Sequence, residues 1–242
     1  MKILVIGESC IDRFIYSDAG RLSPEAPVPV LTPVKTEENP GMAGNTKANC
    51  EAIARDVQVD LWSQPDQITK TRFVEQKSNH MFIRYDEGEE SIGQFGYDLL
   101  ELDYYDVVIV SDYDKGFLNV DDIKKIGIRS KLSIIDSKRR LTSDIIAGYD
   151  FIKLNEGERK LNSSLQHDGI ITTLGSKGAM WQGKVFPSPI PQETIDVSGA
   201  GDTFTAAFII EYYISKKIEH SIEFANGMAA NVVSRRGVVT PI

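Results

Sequence analysis

Ile3-Leu-Val-Ile6-Gly7-Glu8-Ser9-Cys10-Ile11-Asp12 is an apolar run of strand length that stops at a glycine and gives way to a polar cluster. The arrangement recurs in four further places: Val107 to Val110 before Ser111-Asp-Tyr-Asp-Lys-Gly116, Leu132 to Ile135 before Asp136-Ser-Lys-Arg139, Phe151 to Leu154 before Asn155-Glu-Gly-Glu158, and Ile170 to Leu174 before Gly175-Ser-Lys-Gly178. Runs this short and this continuously apolar suit strands buried on both faces. Helical patterns lie between them, so the chain reads as α/β, a mainly parallel sheet with helices on both faces. Such sheets bind ligands beyond the carboxyl ends of their strands, and the polar clusters there describe one long cleft.

The 242 residues suffice for one large α/β domain with a substantial core. A hydrophobic share of 41% and a charged share of 26% are those of a globular protein. No apolar run approaches the roughly 20 residues of a membrane span, so no membrane partner is expected. The start, Met-Lys-Ile-Leu-Val-Ile-Gly-Glu, lacks a small-residue cleavage pattern and reads as the first core strand rather than a signal peptide. Cys10 and Cys50 have no metal-ligand spacing, which argues against a zinc site or a disulfide framework and fits a reducing cytoplasm. A net charge of -8 opposes nonspecific attraction to nucleic acid but leaves room for a local basic pocket.

A second pattern interrupts the rhythm. Val28 to Val34 and Thr69 to Asp86 are rich in β-branched and aromatic residues and lack helical periodicity, which predicts a small sheet outside the main one. Prolines at 24, 27, 29 and 33 would hold the first segment extended, as on an edge or a flap. Thr46 to Ala54, Gly201 to Ile214 and Ile218 to Val233 read as helices.

The chemistry concentrates in Asp196-Val-Ser-Gly199-Ala200-Gly201-Asp202-Thr-Phe204, which runs from a turn into a helix. Small residues at 199 to 201 would let several backbone N–H groups converge on one point, where the helix dipole favours an anion. Asp202 stands beside that point. Anion-stabilising amides next to a base are what phosphoryl transfer to a hydroxyl requires. Gly41-Met-Ala-Gly44-Asn45 opens another helix, where small residues allow close approach and Asn45 could bond sugar hydroxyls. Asp12 is placed to grip hydroxyls with a carboxylate; its structural alternative is a turn residue paired with Arg13.

The string from Asp196 to Phe204 resembles the signature of the ribokinase (PfkB) family of sugar kinases. Arg21-Leu-Ser-Pro-Glu-Ala-Pro-Val-Pro-Val30, Asn39 to Asn45, Lys70-Thr-Arg72-Phe-Val74, Arg84-Tyr-Asp86, Ser111 to Gly116 and Asp136-Ser-Lys138 resemble, in order, D-glycero-β-D-manno-heptose-7-phosphate kinases, the kinase domain of bifunctional ADP-heptose synthases. The resemblance covers most of the chain. It implies a single ribokinase-like domain over 1–242 with a small β flap, its lid segments at about 13–38 and 68–88. It implies Asp202 as catalytic base and Gly199, Ala200 and Gly201 as an anion hole. The acceptor would lie against Asp12, Gly41, Asn45, Arg84 and Lys115, with Lys70 and Arg72 as further cations for a phosphate. ATP would lie along Lys138, Asn155, Thr173, Gly175, Gly178 and Asn226, with Glu158 holding the water shell of Mg²⁺. Asp196 would organise a monovalent cation such as K⁺. The acceptor would be the anomeric hydroxyl of a heptose 7-phosphate, and the flap would pair two subunits as a homodimer.

The pattern departs from the family after Arg55. Val57 to Trp62 passes almost directly, through Ser63-Gln-Pro-Asp-Gln67, into Ile68, so about one strand and one helix are expected to be missing. The chain also stops at Ile242, where similar kinases continue, and Met42 and Gly44 alter the usual small-residue string. Two alternatives stay open: a PfkB-type kinase for another sugar or sugar phosphate, and a noncatalytic sugar- or nucleotide-binding regulator.

Overall fold

β1 (Lys2–Gly7) pairs in parallel with β4 (Gln58–Trp62) on one side and β7 (Val107–Asp112) on the other. The computed structural model describes residues 1–90, 92–96, 101–189, 199–235 and 240–241. Beyond β7 the sheet continues in parallel through β8 (Ser133–Ser137), β9 (Phe151–Asn155) and β10 (Ile170–Thr173). It ends with the antiparallel strands β11 (Ala179–Trp181) and β12 (Lys184–Phe186). All five apolar runs of the sequence are strands of this sheet.

Neighbouring residues on a strand point to opposite faces, so a run that is apolar throughout feeds two cores. Ile3, Val5, Ile109, Ile134, Phe151 and Ile171 pack on one side with residues of α1 (Ala43–Ile53), α5 (Ala200–Ser215) and α6 (Ile218–Val233). Leu4, Ile6, Val108, Val110, Ile135 and Ile152 pack on the other with α2 (Val120–Arg129) and α3 (Ser143–Ile146). In α5, Asp202 to Ile210 are buried without interruption, as expected of a helix enclosed on all sides. α4 (Glu156–Leu161) follows β9 directly.

β2 (Ser9–Leu22), β3 (Pro29–Met42), β5 (Thr69–Glu75) and β6 (Met81–Glu87) form a separate sheet in the order β3-β2-β5-β6. This is the flap expected from the aromatic and β-branched segments. β3 is its edge, where the missing N–H groups of Pro29, Pro33 and Pro40 cost little.

α1 begins before the expected Thr46. Ala43 and Gly44 let the helix start against the flap, because a Cβ on Gly44 would stand 2.6 Å from Ser9 Oγ. β4 is the edge of the main sheet, and only residues 63–68 separate it from β5, in keeping with the missing strand and helix. No helix among the described residues is long and apolar enough to cross a membrane.

Candidate active site

Gly199 sits in the left-handed region at φ 79 and no side chain caps α5, so the first-turn amides of this 16-residue helix are open at its positive end. Asp202 follows within that turn and is buried. Its Oδ2 accepts from Asn45 Nδ2 at 2.8 Å and its Oδ1 accepts from the Tyr113 hydroxyl at 3.0 Å. Burial pushes its carboxyl up to about 6; the neighbouring Asp136 adds to the rise, while the Asn45 and Tyr113 hydrogen bonds and the Lys153 charge oppose it. A carboxylate near 6 is ionised at neutral pH yet basic enough to take a proton.

A buried amide relay fixes this group. Thr203 Oγ1 donates to Asn49 Oδ1 at 2.7 Å, and Asn49 Nδ2 donates to Asn45 Oδ1 at 3.1 Å. Asn45 thus spends its amide on Asp202 and its carbonyl on Asn49. Asn45 also lines the smaller cavity, where it is expected to meet sugar hydroxyls, so it orients the carboxylate from the wall of that cavity.

Asp202 stands in the wall shared by two cavities, together with Tyr113, Lys138 and Gly199. The larger, about 570 Å³, is lined by Asn155, Thr173, Gly175, Gly178 and Asn226, all expected on the nucleotide side, and by Gly199 to Gly201. Gly178 turns at φ 96 and a Cβ there would lie 2.1 Å from the Phe186 carbonyl oxygen, so only glycine fits. Asn226 Nδ2 donates to that same oxygen at 2.9 Å and ties α6 to the end of β12. Asn155 and Glu158 form a capping box: Glu158 N donates to Asn155 Oδ1 at 2.8 Å and Asn155 N donates to Glu158 Oε2 at 2.7 Å.

Glu158 Oε1 accepts from Lys138 Nζ at 2.6 Å, so both oxygens of the expected Mg²⁺ carboxylate are occupied. Asp136 offers more. Its Oδ2 pairs with the buried Lys153 Nζ at 2.7 Å, whereas its Oδ1 is buried with no hydrogen-bond partner and the residue lines the cavity. Burial pushes the Asp136 carboxyl up, but Lys153 and Lys138 outweigh it and hold the group below the usual carboxylate range. Lys153 also lies under the helix start, since a Cβ on Gly201 would be 3.0 Å from its Nζ.

The second cavity, about 420 Å³, lies between the flap and the body. Asp12, Lys70, Arg72, Arg84 and Lys115 line it, so all four cations weighed for a phosphate are there. Asp12 pairs with Arg72 across the flap, and Arg13 pairs with Glu38 at 2.6 Å; the Asp12–Arg13 alternative does not occur. Gly41 walls the Asp12 carboxylate, because a Cβ would sit 2.3 Å from its Oδ2. Arg84 is exposed and forks onto Asp86 at 2.9 and 3.0 Å. Lys115 Nζ donates to Glu89 Oε2 at 2.6 Å.

Glu8 governs the loop that carries Tyr113 and Lys115. It is fully buried, and its carboxylate accepts from the amides of Tyr113, Lys115 and Phe117 at 2.9, 3.1 and 3.2 Å. Asp196 lies outside the described residues. Tyr113, Asp136 and Lys153 lie in or beside the polar clusters that the sequence places along the cleft, but no individual role is legible for them there, and Asn49 has no local sign at all.

Residues 152–242 match the model of the pfkB family carbohydrate kinases. Over 99% of its length the chain is 28% identical to the bifunctional protein HldE of Photobacterium profundum and 28% identical to that of Nitratiruptor. It spans 61% and 63% of those proteins, about six-tenths of their length. The alignment to the former runs over 298 positions, more than this chain possesses, so that relative carries internal residues absent here. Among solved structures, a ribokinase from Thermotoga maritima superposes with a TM-score of 0.73 at 17% identity, covering 98% of this chain and 94% of that one. Phosphofructokinase-2 from Escherichia coli, solved with potassium, superposes with a TM-score of 0.70 at 13% identity, covering 98% and 94%. The fold is ribokinase-like.

Proposed function

We propose that this chain, whose residues 152–242 match the pfkB carbohydrate kinase model on a ribokinase-like fold, transfers the terminal phosphoryl group of ATP to a sugar hydroxyl with Asp202 as the base. The observation that supports this reading is the position of Asp202 in the wall between a glycine-lined cavity and a basic one. ATP occupies the larger cavity along Thr173, Gly175 and Gly178, with its adenine end toward Asn226. The acceptor occupies the smaller cavity against Asp12, Gly41, Arg84 and Lys115.

As the hydroxyl oxygen bonds to the γ-phosphorus, the bond from that phosphorus to the β–γ bridging oxygen breaks and ADP leaves with the electron pair. The hydroxyl proton passes to Asp202. The amides of Gly199, Ala200 and Gly201, with the Lys153 ammonium beneath them, hold the charge on the transferred group. Lys138, which lines both cavities, steadies the phosphates. The residues fit a hydrated Mg²⁺ through Asp136 Oδ1, which accepts no hydrogen bond and has the Lys138 ammonium 3.7 Å away, and Glu158 joins if Lys138 releases it; the ion would supply neutralisation of phosphate charge. Asp196 as a K⁺ ligand remains part of the proposal.

The acceptor is proposed to be D-glycero-β-D-manno-heptose 7-phosphate, phosphorylated at its anomeric hydroxyl. A base and several cations lining the same cavity suit a sugar that already carries a phosphate. Likeness to the HldE proteins supports the same choice. The test is phosphoryl transfer from ATP to heptose 7-phosphate, fructose 6-phosphate and ribose by wild type and Asp202→Asn. The expected result is turnover preferring the heptose and lost in the variant while ATP still binds. ATP binding without transfer to any sugar would mark a binding protein and sink the proposal; preference for another sugar would correct the acceptor alone.

A further inference from the structure

The five cations that line the smaller cavity are already matched by carboxylates. Arg72 meets Asp12, Arg84 meets Asp86, Lys138 meets Glu158, Lys70 meets Asp86 and Glu89, and Lys115 meets Glu89. With Asp202 also in the wall, five cations face five carboxylates, so an incoming phosphate dianion enters a neutralised cavity, and it binds well only if an internal anion gives way.

The carboxylates differ in how firmly they are held. Asp12 is buried against Gly41, and Glu158 is locked in its capping box. Asp86 is forked by Arg84 on its own strand. Glu89 lies past the end of β6, and its side chain meets only Lys70 Nζ through Oε1 and Lys115 Nζ through Oε2 among the described residues. Its approach is built into the backbone. Gly88 turns at φ 83 against Gln67, whose carbonyl oxygen would be 2.3 Å from a Cβ, and this turn brings residue 89 back over Lys70. Two ammonium groups sharing the two oxygens of one carboxylate present the spacing that two oxygens of one phosphate would use.

We propose that Glu89 is a specificity-determining residue: its carboxylate stands in for a phosphate between Lys70 and Lys115, and the acceptor's phosphate replaces it there. The inference rests on the reading that the acceptor carries a phosphate. Sugar hydroxyls cannot compensate two ammonium groups for a lost carboxylate, so Glu89 disfavours unphosphorylated sugars while a phosphate displaces it.

The experiment is calorimetric titration of the full chain with inorganic phosphate, at saturating ADP to fill the nucleotide cavity. Wild type, Glu89→Gln, Lys115→Met and the double variant are compared. Removing the competing carboxylate is expected to tighten phosphate binding roughly five- to tenfold, a gain that falls below about twofold when Lys115 is already methionine. Unchanged or weaker phosphate binding by Glu89→Gln overturns the exchange, since the carboxylate would then merely hold the lysines in place. Turnover of heptose 7-phosphate, measured alongside, separates the two ideas. Tighter phosphate binding without turnover of that sugar supports the exchange and sinks the acceptor. Turnover without the gain in binding does the reverse.

Discussion

The Tyr113 hydroxyl donates to Asp202 Oδ1 at 3.0 Å, from a loop at the end of β7 to the first turn of a helix 89 residues later in the chain. With Asn45 on the other oxygen, the carboxylate is held from two sides in a buried setting, in the wall shared by the two cavities.

The carboxyl of Asp202 is raised from 3.8 to about 6, and a base works only when ionised. kcat/KM is expected to fall about tenfold per pH unit below about pH 6 and to level off above it. Stability moves the other way. The unfolded chain ionises this group near 3.8, so the fold is penalised progressively as pH rises from there to about 6 and by a constant amount above. Asp202→Asn should therefore gain up to roughly 3 kcal/mol over wild type at pH 8, and much less at pH 4.5. Equal gains in urea melts at both pH values would contradict the assignment.

Tyr113→Phe removes the hydroxyl that helps keep Asp202 ionised. The acidic limb of the pH–rate profile should move to higher pH, with kcat above that limb reduced only several-fold because Asn45 still orients the carboxylate. A uniform loss at every pH, with the limb unmoved, would mean that Tyr113 serves only to pack the loop.

Lys153→Met leaves Asp136 buried without its closest cation, so a loss of about 3 kcal/mol or more is expected in denaturant unfolding. Changing Asp136 to Asn in the same chain should restore much of it, while phosphoryl transfer stays low in both variants. A double variant no more stable than Lys153→Met would refute the pairing argument.

Ile83 and Tyr85 flank Arg84 along β6 and are about half exposed, on the strand face opposite the cavity. A homodimer through the flap would cover them. Sedimentation at micromolar concentration is expected to give a dimer for wild type and a monomer for Ile83→Glu; a monomeric wild type would rule the flap interface out.

The main sheet was readable because its strands are buried on both faces and so print as uninterrupted apolar runs, Ile3 to Ile6 and Val107 to Val110 above all. Asp202 was readable because a helix start needs small residues wherever backbone amides must converge. The pairs across strands were not. Asp136 and Lys153 face each other only through the register of β8 and β9, and Asp12 reaches Arg72 only because β5 lies parallel beside β2. Local spacing offers Arg13 as the alternative partner for Asp12, but adjacent strand residues point to opposite faces, and Arg13 meets Glu38 on the neighbouring strand. Glu8 was visible as a polar residue after the first strand, whereas its three amide partners, more than a hundred residues away, had no sequence sign.

β1 ends at Gly7 and β2 begins at Ser9, so a single residue joins the body to the flap along this path. The Glu8 side chain grips the amides of Tyr113 and Lys115, so the one residue between the two sheets also anchors the loop whose Tyr113 meets Asp202 and whose Lys115 meets Glu89.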